Sequence, residues 1–219
     1  MIRRRRRALT PDIRTVALGA VAAAGTAAVV AFEVARVWRR GSAPMPEEAE
    51  DLVQAAGEAV AETATVARVG YREVSTRENA LFNMLTSFVI TFITARFIAL
   101  LLRTRPRVGP FRNMKVGRRH IHHFVPGIVL AFVSGAAAIL TRNEAHEPRL
   151  AVPFGVGMGL TLDESALLLE LEDVYWSEEG IISVQIALAT TALLGALALG
   201  LRFLRRGEEE VLPPPAAGG

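Results

Sequence analysis

The chain has 219 residues, 51% of them hydrophobic, no cysteine, and 25 basic against 22 acidic residues for a formal charge of +3. Mean hydropathy is +0.32 and the apolar residues fall in long runs, which excludes an ordinary soluble domain in favour of a membrane protein. The missing cysteines exclude disulfides, thiolate metal sites and cysteine nucleophiles, and basic residues clustered beside apolar runs read as topology signals rather than as a nucleic-acid face.

In chain order, a basic N-tail (Arg3 to Arg7) precedes a first apolar run over 15–37, rich in Ala, Val and Gly and closed by Arg36, Arg39 and Arg40. It reads as a retained span, with a cleavable signal ending near Ala22 to Ala24 as the alternative. Residues 47–78 are polar, yet Val53, Ala56, Val60, Ala64, Ala67, Tyr71 and Val74 recur at spacings of three and four, which predicts a polar amphipathic helix whose narrow, Ala-rich face is this stripe. It reads as a solvated link between two spans, with a weak coiled coil or a helix along the membrane surface as the alternatives. Four further runs, over 80–102, 124–141, 150–172 and 181–204, each approach the ~20 residues that carry a helix across ~30 Å of hydrocarbon. Since backbone amides must be satisfied inside lipid, all five are predicted as helices.

The expected fold is therefore all-α, a polytopic membrane helical bundle of five transmembrane helices plus one amphipathic helix. Residues 1–46 hold the N-tail and first span, 47–79 the polar helix, 80–206 a four-helix core and 207–219 a disordered tail. The densest positive charge lies in the N-tail and in the loop from Arg103 to Arg119, two spans apart, which places both on the cytoplasmic side of a cell membrane.

With that topology, two polar clusters fall on one side. His120, His122 and His123 precede the third span, whose Pro126 suits a first helical turn. Asp163, Glu170 and Asp173 share one stripe of the fourth, with Glu164 beside it and Glu172 pointing away. Gly155 and Gly159 offer a small-xxx-small surface for a neighbouring helix. Arg96, seven residues in from Arg103, lies about 10 Å into the second span, at the depth of Asp163 and Glu164, and is expected to pair with a carboxylate there.

Imidazoles and carboxylates in this set suit a divalent metal such as Zn, Mn or Fe. His120, His122, His123, Glu170 and Asp173 are the candidate ligands, and Asp163 or Glu164 the candidate general base. The plainer alternative has the histidines bonding the acidic helix end or lipid phosphates. Familiar signatures are missing: there is no H-E-x-x-H, Ser165 lacks a G-x-S-x-G setting, and four histidines are too few for a desaturase.

Several stretches together resemble an uncharacterised family of bacterial, largely actinobacterial, integral membrane proteins. They are Val89 to Arg96, Gly109 to Asn113, His120 to His123 with Pro126-Gly127, Leu160 to Glu164, Leu171 to Trp176 and Glu179-Gly180. The resemblance spans about residues 80–200 and implies a membrane bundle without implying an activity. Two functions stay open: a membrane enzyme, hydrolase or transferase, acting on a lipid-linked or phosphorylated substrate, and a non-catalytic protein. The second is either a subunit of a membrane complex or homo-oligomer or a small transporter using Arg96, Asp163 and Glu164 as an ion relay.

Overall fold

A computed structural model of the chain describes residues 13–104, 107–108, 111–112, 115–116, 119–120, 124–163 and 178–213. Among them are six helices: α1 (Ile13–Arg40), α2 (Leu52–Glu73), α3 (Thr76–Thr104), α4 (Phe124–Leu140), α5 (Glu147–Asp163) and α6 (Glu178–Val211). The strands among the described residues are two antiparallel ladders of two residues each, β1 (Arg107–Val108) with β2 (Phe111–Arg112) and β3 (Lys115–Val116) with β4 (Arg119–His120).

Local sequence sets the helix starts. Asp51 caps α2 by accepting from the Val53 and Gln54 amides. Ser75 and Glu78 form a reciprocal capping box at α3, the Ser75 hydroxyl accepting from the Glu78 amide while the Glu78 carboxylate accepts from the Ser75 amide. Asn143 accepts from the Ala145 amide to start the short 3-10 turn that leads into α5. Pro126 and Pro148 lie in first turns, where a missing N–H leaves no hydrogen bond unmade.

α5 is sandwiched between α3, to which it runs parallel, and α4, to which it runs antiparallel. The α3 contact is close because α5 presents glycine: a Cβ at Gly159 would lie 2.9 Å from the Thr91 Cβ and 3.0 Å from the Phe88 carbonyl oxygen, and one at Gly155 would collide with Ser87 and the Met84 carbonyl. α6 runs antiparallel to α3, and Phe88, Val89, Phe92 and Ala192 form the apolar cluster between them, with Met158 and Leu162 of α5 against it. α2 continues the line of α3 along the last third of α6, where the Gly70 and Gly207 backbones close on Phe203 and Val66. α1 lies beside this junction through Val37, which joins Val66, Leu204 and Leu212.

Among the described residues, three helical stretches are long and apolar enough to cross a membrane, Gly19–Arg40, Thr76–Ile98 and Gln185–Val211; α4 is apolar but shorter. The packing has the inverted character that lipid permits. Ile93, Phe97, Phe132, Ile139 and Leu140 are exposed, while Glu33, Asn79, Ser134, Asp163, Gln185 and Glu208 are buried.

Two expectations need correction. The polar helix packs on Ala55, Ala59, Val66 and Gly70, leaving Val53 83% and Val60 55% exposed; small residues win because they let the α2 and α6 backbones touch. The acidic residues Glu208 to Glu210, assigned above to a disordered tail, continue α6 to Val211, with Glu208 and Leu212 buried. Of the predicted fourth span, residues 164–172 lie outside the described residues.

Candidate functional site

One end of the bundle gathers the C-terminal ends of α3 and α5 and the N-terminal ends of α4 and α6. Asp163 closes α5 there and is buried. The Arg96 Nε of α3 lies 2.7 Å from its Oδ1. The same guanidinium donates from Nη2 to the Asp163 carbonyl at 2.9 Å and to Gln185 Oε1 of α6 at 2.7 Å. Gln185 Nε2 donates in turn to the Leu162 and Asp163 carbonyls, at 3.0 and 3.1 Å. The Phe92 ring centroid is 5.8 Å from the guanidinium carbon, near enough for cation–π attraction.

The chemistry follows from the position. The last carbonyls of a helix have no intrahelical donor and carry the negative end of its dipole. In a low-dielectric layer those carbonyls need donors from elsewhere, and Gln185 and Arg96 supply them while Arg96 also balances the Asp163 charge. Three helices are thereby tied at one point. Gln185 escaped the sequence reading, although a glutamine inside the apolar run 181–204 was itself a signal, since amides in such runs bond to other helices.

The remaining candidates stand as follows. His120 ends β4, its backbone paired with Lys115, and its side chain is not among those described. His122, His123, Glu164, Glu170 and Asp173 lie outside the described residues. Among the described residues, no group of three or more His, Asp or Glu side chains is arranged to hold a metal ion. The flanking helices do meet: a Cβ on Gly127, in the first turn of α4, would lie 2.8 Å from the Leu160 Cβ and 2.9 Å from the Thr161 Oγ1 in the last turn of α5. The chain enters α4 directly after His123 and leaves α5 directly before Glu164, so both points lie at the end of the bundle that holds Arg96.

A second polar node occupies the opposite end. Glu33 accepts from Arg36 at 2.8 Å and from Arg205 at 2.9 Å, and Glu208 accepts from Arg36 and, at 2.9 Å, from Arg40. Arg36 and Arg40, which close the first apolar run in sequence, are here partners of buried carboxylates. Nearby, Tyr71 joins α2 to α3 through Asn83, whose amide donates to the Tyr71 hydroxyl and to the Pro148 carbonyl of α5. Comparison with known protein families, with curated proteins and with solved structures finds no match to this chain.

Proposed function

We propose that the chain is a five-span protein of the cell membrane carrying a His/carboxylate site for a divalent metal at its Arg96 end, and that it acts there on a lipid-linked or phosphorylated substrate. The observation that carries this reading is the contact between the first turn of α4 and the last turn of α5. It brings together the points where the chain arrives from His120, His122 and His123 and departs toward Glu164, Glu170 and Asp173. A bound metal would supply polarisation and an activated water. Asp163, already engaged by Arg96, then serves as the anchor that fixes the α5 end, and Glu164 is the residue left to accept a proton. The resemblance to an actinobacterial membrane family belongs to the same proposal.

The test is metal content of the full chain, purified in neutral detergent without chelator from cells supplied with Zn and Mn. The expected result is one metal per chain, lost in His122→Ala and Glu170→Ala variants that keep their helical circular dichroism. A metal-free unmutated protein overturns the metal site.

A second reading, a non-catalytic scaffold or subunit, is favoured by the mutual satisfaction of Arg96, Asp163 and Gln185, which needs no substrate. Under it, Arg96→Asp combined with Asp163→Arg leaves every function of the protein intact once folding is restored.

A further inference from the structure

The turn from α2 into α3 and the last third of α6 border a cavity of about 370 Å³, a size that suits a small ligand or a headgroup. Its two sides differ in charge. Glu73 of α2 and Glu78 of α3 line one side, and Arg202, Arg205 and Arg206 of α6 line the other, with Glu209 beside them. Spacings of three and four put those four α6 residues on one face of the helix.

Among the described residues each guanidinium uses one nitrogen: Arg202 Nε reaches Glu78, Arg205 Nη2 reaches Glu33 and Arg206 Nη1 reaches Glu209, each at 2.9 Å. The other two nitrogens of each still have protons to donate. Arg202 and Arg206 are exposed, so their ion pairs contribute little alone and a ligand can join them without undoing the fold. Glu73 makes no hydrogen bond or ion pair among the described residues. Charge balance then selects what fits. A bare anion drawn to the arginines meets the carboxylates, and a bare cation drawn to Glu73 meets the arginines. A group with a phosphate and a primary ammonium a few bonds apart satisfies both sides. Its phosphate oxygens take the free nitrogens of Arg202 and Arg206, one turn apart, and its ammonium donates to Glu73. The cavity lies where the span of α3 begins and the apolar run of α6 ends. Leu81 of α3 and Leu194 of α6 are exposed on the apolar side of it, a surface on which acyl chains can lie.

We propose that this cavity binds a phosphoethanolamine group, the chemistry of the phosphatidylethanolamine headgroup, with Arg202 and Arg206 on the phosphate and Glu73 on the ammonium. Arg205 stays with Glu33 and Glu78 stays with Ser75, so the node and the α3 cap are untouched. The assignment does not rest on the metal site proposed at the Arg96 end, and its variants leave that end in place.

The experiment is thermal unfolding of the full chain in neutral detergent, titrated with phosphatidylethanolamine, phosphatidylcholine or phosphatidylglycerol. Phosphatidylethanolamine is expected to raise the melting temperature at a concentration about tenfold lower than either of the others, since phosphatidylcholine has no N–H to give Glu73 and phosphatidylglycerol no cation. Glu73→Gln should abolish the preference over phosphatidylcholine, and Arg202→Gln with Arg206→Gln the response itself. Arg142→Gln with Glu144→Gln, outside the cavity, should change neither. Glycerophosphoethanolamine, the same group without acyl chains, separates the sources: a response to it as well as to the lipid assigns the site to the headgroup alone, and a response to the lipid only assigns it to the intact phospholipid. An equal or larger effect of phosphatidylcholine or phosphatidylglycerol overturns the proposal, as does a preference that survives both replacements. Should the variants not fold, the monomethyl and dimethyl forms of phosphatidylethanolamine decide on the unmutated chain. The effect must fall as methyl groups replace N–H donors, and indifference to methylation overturns the site.

Discussion

Arg96 makes three contacts that a lysine cannot reproduce: one to the Asp163 carboxylate, one to its backbone carbonyl and one to Gln185. Asp163→Ala strands the guanidinium without its counter-charge, and the expected loss is about 3–5 kcal/mol, read by reversible unfolding in mixed detergent micelles. Arg96→Lys should recover only part of that stability, and the double charge reversal more than either single reversal; a loss under about 1 kcal/mol would class the contact with surface pairs. The second node gives a matched comparison on one helix. The Glu208 side chain is 4% exposed and faces Arg36 and Arg40, whereas the Glu209 side chain is 64% exposed and pairs with Arg206 on its own helix. Glu208→Gln should lower the melting temperature by several times the effect of Glu209→Gln, and equal effects would refute the idea that Glu208 organises the junction. The depth of Arg96 was readable from its distance to Arg103 along one helix. The partners of Glu208 were not, because Arg36 and Arg40 are remote in sequence and only tertiary packing brings them together.

For the helices, periodicity marked the apolar runs well and the packing faces less well. Sequence spacing singled out Gly155 and Gly159, and α3 is the helix they meet, because Ser87 and Thr91 are small enough to accept a bare backbone. Gly159→Val should therefore separate α3 from α5 and cost about 1–3 kcal/mol or more by overpacking. Gly25→Val, at a glycine with nothing within 4 Å, should leave the melting temperature within experimental error; equal sensitivity at the two positions would remove close approach as the explanation. The same logic explains the misplaced face of α2. Hydrophobic spacing favoured Val53 and Val60, but the helix contacts α6 through Gly70 and Val66, where the backbone of the facing Gly207 comes nearest. A pattern built on side-chain hydrophobicity does not see an interface made by the absence of side chains. The end of α6 escaped for a related reason: three consecutive acids and the prolines after them read as solvated chain until the partly buried Arg36 and Arg40 neutralise one of the acids.

At the scale of the molecule, the two polar nodes mark two ends. One holds Glu33, Glu208, Asn83 and the start of α5; the other holds Arg96, Asp163, Gln185 and the start of α4. Helix directions alternate between those ends in the manner of a five-span protein, yet α4 and α5 have 17 residues each, about 26 Å of helix against ~30 Å of hydrocarbon. A hairpin of that length either crosses with the bilayer thinned around it or enters and returns partway. The two cases differ in where Asn143, between α4 and α5, is exposed. Because the chain has no cysteine, single substitutions Ser42→Cys, Arg112→Cys and Asn143→Cys each create one thiol, and a membrane-impermeant maleimide applied to intact cells reads its side. Five spans require Ser42→Cys and Asn143→Cys to label together and Arg112→Cys only after the membrane is opened. The basic charge around Arg112 predicts that its side is the cytoplasm. Asn143→Cys labelling together with Arg112→Cys instead would reduce the crossing helices to α1, α3 and α6, with α4 and α5 entering from the Arg96 end and shielding Arg96 and Asp163 from lipid.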